Sequence, residues 1–290
     1  MGTTILAVRY KGGIAVGADT RTSVSGYVSN RYAAKLTFVL DREIDEFVVR
    51  SVMRRRHDDD ETDKSNENNL NENSSKVSLV ELPTPEASTC VICRSGSAAD
   101  TQHLASVIRT EIVSRQLLYR IRGTVTHVAA LLRNLLVNEP NLSASLICAG
   151  YDHELKRGVI YSIAPGGTVF EESMWAAGGS GSTYILGHLD SCYPKHASGG
   201  TNALDVELES EEEAVEFICK AIGLAMDRDG SSGGFIRMYV IDRFGRRFIS
   251  RMPNAPKNES VDKNGVKSAA PLKNFAPAIP AKITNNISRG

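Results

Sequence analysis

Residues 1–22 read MGTTILAVRYKGGIAVGADTRT. Two β-rich apolar runs, 4–10 and 14–18, flank Lys11-Gly12-Gly13. That pattern predicts an antiparallel hairpin at the head of the chain. A Gly2-Thr3 junction stands directly in front of it. Cleavage there would make Thr3 N-terminal, with a hydroxyl nucleophile and a free α-amino group on one Cα. An α-amino group has a pKa near ~8, against roughly 10.4 for lysine, so it can take a proton at neutral pH. Thr3 is a candidate nucleophile; on these residues alone Met-Gly-Thr-Thr also reads as an ordinary start before a first strand.

The chain has 290 residues, 41% of them hydrophobic and 23% charged. That suits one large globular domain or two small ones. The formal net charge is +0, which gives no reason to expect a nucleic-acid or anionic-membrane partner. No apolar run reaches membrane-spanning length, and no signal-peptide pattern opens the chain. Met1-Gly2 does not complete a myristoylation pattern, because Leu6 occupies the position that calls for Ser or Thr. Cys90, Cys93, Cys148, Cys192 and Cys219 make an odd count in mostly apolar segments, so reduced, buried thiols are expected. Cys90-x-x-Cys93 has no second ligand pair, and neither a metal nor a cofactor is expected.

Working outward from the hairpin, a polar turn is expected around Ser25-Gly26 and a strand over 35–40. Residues 43–89 carry a charge block and an Asn/Glu/Ser tract, read as a disordered surface insertion between two strands. Order resumes with a short strand, Cys90–Cys93, ending in Arg94-Ser95-Gly96-Ser97. A helix follows, with Asp100 near its start and Leu104, Ile108 and Ile112 at helical spacing. A second helix over 124–137 carries Val128, Leu131 and Leu135 on one stripe. Strands are expected at 143–149, 158–163 and 168–172. Gly178-Gly179-Ser180-Gly181-Ser182 opens a third helix through about Leu189. A fourth starts at Ser210 with Glu213 in a capping-box position and stops near Asp227. Strands at 235–241 and 246–250 end the pattern, and 253–290 reads as a disordered tail. The expected fold is α+β: two packed sheets with a helix pair outside each, αββα. The domain is 3–252, interrupted by the insertion.

Seven blocks in this order resemble proteasome β subunits. They are Thr3-Thr4, Gly17-Ala18-Asp19-x-Arg21, Asn30-Arg31, Lys35-Leu36-Thr37, Arg94–Asp100, Gly178–Ser182 and Arg228–Gly234. The last three look like the caspase-like catalytic kind of subunit. Taken singly, each is an ordinary turn or a solvated charge, and the order and spacing are what distinguish them. The resemblance covers about 3–42 and 90–252. It implies the four-layer αββα sandwich of N-terminal nucleophile hydrolases and a threonine endopeptidase with no cofactor. It also implies other α and β subunits as partners in stacked seven-membered rings, unfolded polypeptides as substrates, and a setting in cytoplasm and nucleus.

The resemblance further assigns roles. Lys35 is the lysine beside the Thr3 hydroxyl, lowering the pKa of the hydroxyl and of the amine. Asp19 holds Lys35. Asp229 and Ser232 support the Thr3 amine, and Ser180 lies next to the nucleophile. Gly96 supplies an oxyanion-hole N–H, its missing Cβ allowing close approach of substrate. Arg94 favours Glu or Asp on the acyl side of the cut through charge-assisted hydrogen bonds. Thr22, Thr37, Ala98 and Thr101 share that pocket, and Ala33 stands where the family often has a hydroxyl residue. Two other readings stay open: a structural ring member whose Thr3 is left unprocessed, and a bacterial-type ring that docks to an ATPase.

Overall fold

The hairpin forms as its composition requires. In the computed structural model, β1 (Ile5–Tyr10) and β2 (Gly13–Asp19) pair antiparallel from Ile5↔Ala18 to Tyr10↔Gly13. Gly12 makes the turn at φ +106, a region open to glycine. Every residue of both strands is buried, because both faces are covered. Ile5, Ala7, Ile14, Val16 and Ala18 face a second sheet, while Leu6, Val8, Tyr10 and Ala15 face helices. The structure describes residues 2–24, 26–41, 88–119, 122–193 and 208–253. The tail over 254–290, and residues 43–87 of the expected insertion, lie outside that set.

The first sheet has the order β10-β1-β2-β11-β12, with β10 (Trp175–Gly178), β11 (Ile236–Asp242) and β12 (Gly245–Arg251). The second has the order β5-β6-β7-β8-β9, with β5 (Leu36–Leu40), β6 (Thr89–Gly96), β7 (Ala144–Asp152), β8 (Arg157–Ile163) and β9 (Val169–Glu172). A small hairpin pairs β3 (Thr22–Val24) with β4 (Tyr27–Asn30), and Gly26 lies in the expected turn. Helices α1 (Ala98–Tyr119) and α2 (Val125–Asn138) cover the second sheet through Leu104, Ile108, Val128 and Leu132. Helices α3 (Leu186–Cys192) and α4 (Glu211–Arg228) cover the first through Leu189, Val215, Ile218 and Ile222. Phe38, Val91, Cys93, Ile147 and Ile160 close the layer between the sheets. This is the αββα sandwich.

Five local expectations change. β10 was not anticipated: four residues without alternation carry no strand signal, and only pairing with β1 makes them one. Ser88 and Thr89, expected within the insertion, are buried, and Thr89 begins β6. The strand expected over Cys90–Cys93 runs on through Gly96. On α2 the buried stripe is Val125, Val128, Ala129, Leu132 and Leu136, with Leu131 and Leu135 at its rim. A leucine-rich run offers two such stripes, and contact with the sheet selects one. The expected helix over 180–189 divides into a 3₁₀ turn, Ser180–Tyr184, and α3.

Helices α2 and α4 carry side-chain caps, and of these only that of Ser210 was expected. Thr124 accepts from the His127 N–H at 3.1 Å, and Ser210 from the Glu213 N–H at 3.1 Å. The Glu213 carboxylate returns to the Glu209 N–H at 2.9 Å instead of to the cap residue. Cys90 and Cys93 point to opposite faces of β6, so they cannot chelate one ion together.

Candidate active site

The site forms where β1 and β2 meet the loops that follow β10 and α4. Thr3 leads into β1 and is 5% exposed. The loop after β10 wraps round it: the Gly181 N–H donates to the Thr3 carbonyl at 3.1 Å. Gly179 lies at φ +87, and a Cβ there would stand 2.1 Å from that same carbonyl oxygen. Only glycine permits this approach. The Thr3 N–H donates to Ser180 Oγ at 3.2 Å, and Ser180 Oγ donates to Asp229 Oδ2 at 2.7 Å.

Asp229 caps the C-terminal end of α4 and turns its carboxylate back into the site. Ser232 Oγ donates to its Oδ2 at 2.7 Å and the Ser231 N–H to its Oδ1 at 3.0 Å. Ser232 Oγ also lies 2.8 Å from Thr4 Oγ1. Asp19, fully buried at the end of β2, accepts on Oδ1 from the Thr4 N–H at 2.8 Å and from Lys35 Nζ at 2.6 Å. On Oδ2 it accepts from the N–H groups of Arg21 and Gly233 at 3.2 and 3.0 Å. Lys35 Nζ donates onward to the Gly2 carbonyl at 3.1 Å, and Thr3 Oγ1 donates to that oxygen at 2.6 Å. The hydrogen bonds thus close a circuit: Thr3, Ser180, Asp229, Ser232, Thr4, Asp19, Lys35, Gly2 and back to Thr3. Thr3, Asp19, Lys35, Ser180, Asp229 and Ser232 all lie on it. Ser232 reaches Thr3 through Asp229 and Thr4, one step removed from the amine support expected of it.

Charge in the circuit follows from burial and partners. Burial draws the Lys35 ammonium below the ordinary lysine value, with the Arg21 charge adding to the shift. The Asp19 carboxylate, and then Asp229, act against that loss. Burial would push the Asp229 carboxyl up. Hydrogen bonds from Ser232, Ser180 and the Ser231 N–H, with the Lys35 charge, outweigh it and hold the group below the usual carboxylate range.

Arg94 lies on β6 beside Lys35, its N–H donating to the Lys35 carbonyl at 2.8 Å. Its guanidinium donates to the Ala34 carbonyl, and Nε is buried with no hydrogen-bond partner. Burial lowers the affinity of this group for its proton. Gly96 ends the strand at φ +111, exposed, where a Cβ would meet the Ser143 oxygen at 2.4 Å. Thr22 on β3, Thr37 on β5 and Ala98 at the start of α1 are partly exposed. Thr101 is buried, and its hydroxyl is turned to the carbonyls of Ser97 and Ala98 at 2.9 and 3.3 Å. Among the described residues, no group of three or more His, Cys, Asp or Glu is placed to hold a metal ion, and no helix is long and apolar enough to cross a membrane.

Sequence reasoning gave no role within the folded site to three contributors. Thr4 bonds Asp19 through its N–H and Ser232 through its hydroxyl. Gly2 lies so close to Ser231 that a Cβ would stand 2.1 Å from its backbone oxygen. Arg21 donates from its guanidinium to the Gly230 carbonyl at 3.2 Å and covers Gly233, where a Cβ would be 2.4 Å from Cζ. The glycines of Arg228–Gly234 were the available signal for that contact.

A family model described as "Proteasome subunit" matches residues 87–241. The chain is 34% identical over 257 residues to "Probable proteasome subunit beta type-1" of Schizosaccharomyces pombe, covering 86% of this chain and 85% of the relative. It is 33% identical over 247 residues to "Proteasome subunit beta type-6" of Dictyostelium discoideum, covering 84% and 86%. It is 31% identical over 245 residues to "Proteasome subunit beta type-1" of Saccharomyces cerevisiae, covering 84% and 86%.

Proposed function

The chain belongs to the proteasome β-subunit family, whose members assemble with other subunits into the 20S core, and from that premise we propose that it is a catalytic member. The reading is a threonine endopeptidase that cuts unfolded polypeptides, preferentially after acidic residues. It would work in stacked seven-membered rings of α and β subunits, in cytoplasm and nucleus. One observation carries the catalytic part: the closed hydrogen-bond circuit that joins Thr3 to Lys35, Asp19, Ser180 and Asp229.

The first step is release of the amine. Thr3 Oγ1 attacks the Gly2 carbonyl carbon while Lys35 Nζ, 3.1 Å from the carbonyl oxygen, stabilises the charge developing there. The acyl group moves from Thr3 N to Oγ1 as an ester, and water hydrolyses that ester to leave Thr3 N-terminal. The amine then serves as base for the next cycle. Asp229 accepts the Ser180 proton, so Ser180 has only a lone pair to turn to the Thr3 nitrogen. The nitrogen is held as a donor toward Ser180, which leaves its own lone pair for Oγ1. Lys35, kept charged by Asp19, disfavours a second cation at that nitrogen. Thr3 Oγ1 attacks the substrate carbonyl, giving an acyl ester and the freed amine of the leaving peptide. Water then releases the acyl half. The unpaired buried Nε of Arg94 supports the acidic preference, since a carboxylate would give it the acceptor it lacks.

Thr3→Ala in the assembled particle is expected to abolish cleavage after acidic residues while leaving assembly intact, and undiminished cleavage would refute the assignment. Arg94→Ala is expected to reduce cleavage after Glu or Asp far more than reaction of a small electrophile with Thr3; equal losses would make Arg94 structural. The alternative is a ring member whose Thr3 stays acylated by Gly2. The N-terminal mass of the chain from its native complex separates the two.

A further inference from the structure

Building on the threonine-peptidase reading, we propose that Thr4 is a positioning residue for the nucleophile, tethering the peptide after Thr3 to opposite walls of the site. One tether is the Thr4 backbone on Asp19: its N–H donates to Oδ1 at 2.8 Å and its carbonyl accepts from the Asp19 N–H at 3.1 Å. The other is the Thr4 hydroxyl on Ser232 Oγ at 2.8 Å. The direction of the second bond follows from the first principles of donors and acceptors. An ionised carboxylate only accepts, so Ser232, 2.7 Å from Asp229 Oδ2, spends its one proton there. Ser232 then has only lone pairs left, and Thr4 is the donor. The relay runs one way, from Thr4 to Ser232 to Asp229, each bond polarising the next.

Two features set Thr4 apart from an ordinary buried strand residue. It is fully buried, and valine there would have the same shape and no polar atom to satisfy. The loop after β10 also makes room for its hydroxyl: a Cβ on Gly181 would lie 2.0 Å from Thr4 Oγ1. The need for such a tether arises from the chemistry itself. Once residue 2 is removed, Thr3 is joined to the protein covalently through Thr4 alone. Its remaining holds are the 3.2 Å bond to Ser180 and the 3.1 Å bond from Gly181. Slack in Thr4 therefore becomes slack in the attacking oxygen, and misplacement by about 1 Å costs on the order of 10²-fold in rate.

The test uses the full-length chain in its assembled particle. Thr4→Val keeps the branched shape and removes the donor. Acylation of Thr3 by a small β-lactone, and kcat on a peptide ending in Glu, are expected to fall about 10- to 100-fold. KM is expected to stay within about twofold, because the Arg94 pocket is untouched, and Thr4→Ser is expected to restore most of the rate by returning the hydroxyl. Unchanged kcat in Thr4→Val, or a loss that Thr4→Ser does not recover, overturns the role. If Thr4→Val fails to assemble, Gly181→Ala tests the same contact by driving a methyl into the Thr4 hydroxyl, with the same kcat loss expected and unchanged kcat overturning it. Thr3→Ala separates this from the underlying assignment. Cleavage that survives Thr3→Ala overturns the peptidase reading and the Thr4 role with it, whereas cleavage lost in Thr3→Ala and unchanged in Thr4→Val removes Thr4 alone.

Discussion

Lys35 is 7% exposed and keeps its ammonium because Asp19, fully buried, accepts from it at 2.6 Å. Breaking such a pair leaves one buried charge unmatched, at a cost of about 3–5 kcal/mol. Asp19→Asn is therefore expected to lower stability by that order at neutral pH. The sign with pH follows from the direction of the shift. Folded Lys35 lies below the ordinary value of 10.5, so between the two values the unfolded chain binds the proton more tightly. Stability from this group rises with pH across that window. Asp19→Asn removes the largest influence holding the proton on Lys35 and should extend the window to lower pH. Denaturation midpoints against pH for the two chains check this; parallel curves would mean that Asp19 does not hold Lys35 charged. The same residues show the reach and the limit of sequence. Thr3, Asp19 and Lys35 stood out by type and order, while Thr4 did not, because its role depends on a bond to a residue 228 positions away.

At the scale of elements, local chemistry was legible wherever it was self-contained. The Ser210 cap of α4 is an example: its hydroxyl accepts from the Glu213 N–H at 3.1 Å, three residues on. Thr124 caps α2 in the same way, its hydroxyl accepting from the His127 N–H at 3.1 Å. Thr124→Ala is expected to cost about 1 kcal/mol, read as a lower thermal midpoint with the site chemistry unchanged. A loss well below half that figure would mean that sheet packing alone holds the start of α2. β10 is the opposite case. Its four residues become a strand through the register Ile5↔Gly178 to Val8↔Trp175, which no local pattern announces. That pairing also delivers Gly179, Ser180 and Gly181 to Thr3, so an unannounced strand positions a residue that the motif did announce.

Across the whole molecule, the site is assembled from both sheets. Thr3, Asp19 and the loop before β11 belong to the first sheet, while Lys35 leads into β5 of the second. Their separation is set by the apolar layer between the sheets, where Ile147 belongs to one cluster with Ile5, Ala7 and Val16. Ile147→Ala is expected to cost about 2–5 kcal/mol through the cavity it leaves. It should also slow acylation of Thr3, because the two sheets carry opposite halves of the Lys35–Asp19 contact. A stability loss with no change in acylation would show that the loops hold the site without help from the sheet packing.

The sequence by itself determined the hairpin that starts the first sheet, the long helices α1, α2 and α4, and the Ser210 cap. Those are encoded in periodicity, turn chemistry and short spacings, which act between near neighbours. Only the tertiary structure decided which stripe of α2 is buried, that Trp175–Gly178 is a strand, that Gly2 and Gly181 must lack a Cβ, and that Thr4 joins the circuit. Each of these rests on contact between atoms far apart in the chain, and such contacts exist only once the two sheets and their loops have come together.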